Sequence, residues 1–164
     1  MELPEIRRNI RKNKDILHTA GYGILVFIIW SFVKLFIYIF AVAPLITPEK
    51  EDIFDQIFLY STIGFGIIDL IISIFIVLTC IREYKFKKRF NLFKKILFII
   101  LAILAFIYFV EDVFIQIATK TFDATLIFLT LSDLIYFYIC LRLTISYFLL
   151  SNLSKKEKEV TNER

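Results

Sequence analysis

Four long apolar runs constrain this chain more than any other feature of it. They cover roughly Ala20–Ala43, Phe58–Ile81, Ile96–Ala118 and Ala124–Leu150, and a helix that crosses a bilayer needs about 20 mostly apolar residues. Only 22% of the 164 residues are charged and 59% are hydrophobic, so a soluble fold would have too little polar chain to cover four such runs. The fourth run is long enough to tilt or to project past the bilayer. The expected fold is an all-α integral membrane protein, an antiparallel four-helix transmembrane bundle, because short links make consecutive helices antiparallel neighbours.

Lysine and arginine set the expected orientation. Arg7, Arg8, Arg11, Lys12 and Lys14 precede the first run, and the link "REYKFKKRFNLFKK" carries Arg82, Lys85, Lys87, Lys88, Arg89, Lys94 and Lys95. The tail adds Lys155, Lys156, Lys158 and Arg164. The other two links hold Lys50 and Lys120 beside Glu49, Glu51, Asp52, Asp55 and Asp123. Both termini and the middle link therefore belong on the cytoplasmic side, of a plasma membrane by expectation. Residues 1–19 read as a cytoplasmic basic amphipathic segment, 20–150 as the transmembrane domain and 151–164 as a cytoplasmic polar tail. The net charge of +4 follows this topology and gives no sign of nucleic-acid binding. Ala41 and Ala43 imitate a signal cleavage site, but the preceding run is too long and carries a central lysine, so cleavage is not expected.

The basic segments also contain apolar residues. Ile6, Ile10 and Leu17 fall on one face of a helix, which suits a helix lying in the membrane interface. Tyr84, Phe86, Phe90 and Phe93 interleave with the cations of the middle link. Ordinary anchoring to anionic headgroups through Arg7, Arg8, Arg11, Lys85, Lys87, Lys88 and Arg89, at about 1 kcal/mol per cation near an anionic leaflet, is expected ahead of the alternative, specific recognition of an anionic lipid or a partner.

Charges inside the runs are the informative residues. With a rise of 1.5 Å per residue, Lys34 and Asp69 fall roughly 20 Å above the inner boundary, and Glu111 and Asp133 roughly 25 Å. Asp112 adjoins Glu111. Each such charge costs about 2.5–3.5 kcal/mol at a helix centre, so charges at matching depth on four helices are expected to compensate one another. Polar neighbours share their faces: Ser31 and Tyr38 flank Lys34, while Thr62 and Ser73 share a stripe with Asp69. Tyr108 and Gln116 flank Asp112, and Thr130 and Thr144 line up with Asp133. Small and hydroxyl residues of this kind let helices approach closely. Lys34 and Asp69 match best in depth and are the expected pair. One lysine against four carboxyls then requires that an acid hold a proton or that a cation bind.

Arg142 lies on the opposite side of its helix from Asp133 and is expected to snorkel to the cytoplasmic headgroups. A voltage sensor would need arginines at every third position, and this run has one. Cys80 and Cys140 lie alone on separate runs, and His18 sits at the inner boundary. Metal-ligand, phosphate-loop and nucleophile motifs are missing, so neither a cofactor nor a metal nor catalysis is expected. "GFG" at Gly64–Gly66 suggests close helix packing or a break. A faint two-plus-two similarity links "IIDLIISIFIVLTCIR" with "LSDLIYFYICLR", although the spacings disagree. The leading expectation is an accessory or interaction subunit in the bilayer, whose polar seam holds the bundle or docks a partner. The alternative is a small proton- or cation-coupled transporter or channel subunit, which would need a homodimer or a larger membrane partner.

Overall fold

The computed structural model describes Leu3–Ile37, Phe40, Ile53–Lys85, Leu92–Thr119 and Ala124–Asn162. Four helices result: α1 (Leu3–Ile37), α2 (Ile53–Lys85), α3 (Leu92–Thr119) and α4 (Ala124–Asn162). Proline position explains the continuity of α1. Pro4 occupies its first turn, where a missing N–H costs nothing, and the next prolines are Pro44 and Pro48. β-Branched and aromatic residues are poor helix formers in water, but in hydrocarbon a helix satisfies its own backbone. All four helices are long and apolar enough to cross a membrane, as expected of a membrane protein.

Two helices outrun the bilayer. α1 has 35 residues and α4 has 39, or about 52 and 58 Å against a hydrocarbon core of about 30 Å. The basic segment before residue 20 and the polar tail after residue 150 therefore continue their spanning helices. This changes the reading of the Ile6–Ile10–Leu17 stripe. Ile6 and Leu17 are fully buried, and Leu17 joins a core cluster with Tyr147 and Leu150 of α4. The stripe packs against protein because α4 extends beside it.

The helices form a bundle in which α1 packs on α2 and α4, α4 packs on α3, and the α2–α3 seam is the sparsest of the four between neighbouring helices. Across the α1–α4 seam, Arg7 meets Glu157, Phe27 meets Tyr136 and Trp30 meets Phe128. Phe98 of α3 stacks on Tyr147 of α4 with ring centroids 4.4 Å apart. Higher on the same seam, Phe106 meets Phe137. No more than 39% of any span's apolar window is buried inside the bundle. The rest, including Val26, Leu78, Ile103 and Phe128, faces outward, which is the arrangement lipid favours and water does not.

The closest approach is at Gly21. A Cβ there would lie 2.9 Å from Cys80 Cβ, an atom too near its own backbone to swing aside. Gly64, by contrast, has nothing within 4 Å, and at Gly66 a Cβ would make ordinary contact with Leu35 at 3.4 Å. α2 runs unbroken through both. Of the two roles suggested by "GFG", the break is absent and tight packing belongs to Gly21 instead.

Candidate functional site

Asp69 and Ser73 stand one turn apart on α2, so both side chains leave the same face. That face points into the bundle, where Asp69 is 3% exposed and Ser73 is equally sealed. Tyr136 of α4, 4% exposed, reaches across to them. Its hydroxyl donates to the Asp69 carboxylate, at 3.1 Å from Oδ1 and 3.2 Å from Oδ2. Ser73 Oγ lies 3.0 Å from the same hydroxyl. A phenol has one proton, and with that proton on Asp69 the serine must be the donor. Ser73, Tyr136 and Asp69 thus form a directed chain between α2 and α4. Phe27 of α1 covers the Tyr136 ring at 5.0 Å between centroids, which adds a third helix. Hydrogen bonds to a charged acceptor are the stronger kind, and burial raises the cost of breaking one.

The acids gather around α3. The Tyr108 hydroxyl lies within electrostatic reach of Asp69, Glu111 and Asp133, and Glu111 lies within reach of Asp133. Asp133 is buried at 7% exposure, whereas Glu111 and Asp112 are half-buried. Asp69, Asp112, Asp133 and Thr130 all have polar or electrostatic partners. The Tyr108 hydroxyl is buried and makes no hydrogen bond among the described residues. The layer therefore divides into a sealed part around Asp69 and Asp133 and a more open part at Glu111 and Asp112.

Lys34 belongs to α1, but its side chain lies outside the described residues, as do those of Thr62, Lys85 and Gln116. Tyr38, Lys87, Lys88 and Arg89 also lie outside them. The backbone register still bears on the expected pair. Leu35 reaches Gly66, which puts position 34 within about one helical turn of Asp69. Ser31 is half-buried on α1. Thr144 sits below the acids, where its hydroxyl bridges the Phe98 carbonyl of α3 at 3.0 Å and the Cys140 carbonyl at 2.8 Å. It therefore ties α3 to α4 and takes no part in the acidic layer.

Tyr136 is the residue that sequence reasoning missed. It lies three residues after Asp133 and four before Cys140, on the stripe already drawn through Thr130, Asp133 and Thr144. Among 8 tyrosines and 19 phenylalanines a single phenol does not stand out. The usable signal was its i+3 spacing from a buried acid.

At the end of the bundle where α1 begins, Arg7 pairs with Glu157 at 3.2 Å, while Arg8 and Arg11 line a groove with Arg142. Among the described residues no three His, Cys, Asp or Glu side chains gather with the geometry to hold a metal. No protein-family model matches the chain, and no curated protein or solved structure matches it either.

Proposed function

We propose that this protein is a non-catalytic accessory or interaction subunit of a plasma membrane, with four antiparallel spans and both ends on the cytoplasmic side. The Ser73–Tyr136–Asp69 chain carries the reading. A sealed, directed hydrogen-bond chain between helices fixes their register, which suits a polar seam that holds a bundle. By its depth in the sequence Lys34 is the expected counter-charge to Asp69 in this seam. The order of the α1–α4 contacts, in which rising α1 numbers meet falling α4 numbers, supports the antiparallel arrangement. Positive charge at residues 7–14 and 82–95 supports the orientation. The spans turn most of their apolar surface outward, and of the seams between neighbouring helices the α2–α3 seam is the sparsest. That side is where a second copy or a larger membrane partner would fit.

A proton- or cation-coupled role is the competing reading, favoured by the Tyr108 hydroxyl among Asp69, Glu111 and Asp133. Liposomes containing the purified protein separate the two. An interaction subunit gives proton and cation flux no greater than empty vesicles, and in mild-detergent extracts of its own membrane it migrates as a larger complex than the purified chain. Flux that Asp133→Asn abolishes, with no larger complex, would overturn the proposal.

A further inference from the structure

A groove of about 790 Å³ lies between α1 and α4, and none of the polar-layer residues lines it. Its α1 wall is one stripe, in which Arg8, Arg11, Lys12, Asp15 and Thr19 recur at helical spacing down to Gly23. The stripe is about 22 Å long. Arg142 enters from α4, so four cations face a single carboxylate, Asp15. Among the described residues none of these four cations makes an ion pair, in contrast to Arg7, which pairs with Glu157 between the same two helices. The far end of the groove is apolar. There Gly23 abuts Ile139, whose Cδ1 lies 3.2 Å from where a glycine Cβ would be, and exposed Tyr138 flanks them.

We propose that this groove binds one anionic phospholipid, with its phosphate held by Arg8, Arg11, Lys12 and Arg142 and an acyl chain laid over Tyr138, Ile139 and Gly23. Charge complementarity selects the headgroup. The order of the lining selects a lipid over a soluble phosphate, because the cations lie towards the start of α1 and the apolar end points into the spanning region, as in a leaflet. Arg142 occupies the boundary between the two, opposite Ala20 in the register set by Gly23 and Ile139. Exposed arginines and a lysine keep their stems along the helix and direct their charges to the phosphate. The inference rests on the membrane placement proposed above and is independent of any role for the acids.

The test uses the purified full-length chain in neutral detergent. Phosphatidylglycerol, phosphatidylcholine and inorganic phosphate are each titrated, and binding is read by native mass spectrometry and thermal stability. The wild type retains one phosphatidylglycerol per chain in preference to phosphatidylcholine. Removing three groove charges (Arg8→Gln, Arg11→Gln, Arg142→Gln) weakens binding on the order of a hundredfold. Removing three exposed tail charges (Lys155→Gln, Lys156→Gln, Lys158→Gln) weakens it by less than about threefold, as expected of screened charges outside the site. Arg142→Gln alone, at an exposed position, gives an intermediate loss. Equal losses in the two triple variants would mean diffuse attraction, and equal retention of phosphatidylcholine would mean no headgroup selection; either overturns the proposal. Inorganic phosphate stabilising the chain as much as phosphatidylglycerol at equal concentration would overturn it in favour of a soluble ligand. Because binding is read in detergent, a reversed orientation in the membrane would leave this result standing.

Discussion

Tyr136→Phe removes one hydroxyl and keeps the ring that packs on Phe27, which makes it a clean test of the interhelical chain. The hydroxyl donates to Asp69 and receives from Ser73, so the variant breaks two contacts. In water, a hydrogen bond to a charged group is worth about 1.5–3 kcal/mol. Inside a bilayer, interhelical hydrogen bonds average about 0.6 and reach about 1.7 kcal/mol, because the separated helices also find partners. Asp69 keeps other partners, which limits the loss further. The expected cost is about 1–2 kcal/mol, measured by reversible unfolding in mixed micelles. Ser73→Ala should cost less, and almost nothing once Tyr136 is already phenylalanine, because its hydroxyl then has no phenol to serve. Tyr138→Phe, at 59% exposure two residues away, is the control and should fall within about 0.3 kcal/mol of wild type. If Tyr136→Phe matches that control, or if the two losses add in the double variant, the chain does not hold the helices and the reasoning fails.

Three further outcomes follow from the packing and the charges. Gly21→Ala should destabilise by about 1–3 kcal/mol because its Cβ meets Cys80, whereas Gly64→Ala should be neutral or slightly stabilising; equal melting temperatures would contradict the close approach. On the pairing expected from the sequence, Lys34→Met should destabilise the protein and adding Asp69→Leu should recover part of the loss; a double variant as poor as the sum of the singles would show that the two do not interact. Cysteines introduced at Glu51 and Thr121 should react with an impermeant reagent from outside and one at Lys88 should not, against little background because Cys80 and Cys140 are buried. External labelling at Lys88 would reverse the orientation.

The spans were legible in the sequence because their signal is composition over length, which no tertiary detail can cancel. Asp69 and Ser73 also stood out, since a charge and a hydroxyl one turn apart in an apolar run have few places to go. What buries a given stripe was not legible. Ile6, Ile10 and Leu17 mark a covered face equally well whether lipid or α4 covers it, and only the length of α4 decides. The glycines show the same limit. Gly21 and Gly64 are indistinguishable by type, and their difference lies in whether Cys80 of another helix stands opposite. Tyr136 was hidden for a third reason: a tyrosine in an aromatic-rich span passes for packing until an acid is found within reach of its hydroxyl. The Arg8–Arg142 groove needed the register between α1 and α4, which no local pattern encodes.

The central claim is that the intramembrane acids hold the bundle and do not carry ions. Wild-type thermal stability, measured between pH 5 and 8 and in Na⁺, K⁺ and Ca²⁺ at fixed ionic strength, tests it most directly. A structural seam predicts a flat response with no cation preference, and in Asp133→Asn a uniform loss of at most about 1–2 kcal/mol. Stability that rises with one cation or shifts across this pH range in the wild type, and loses that dependence in Asp133→Asn, would contradict the account.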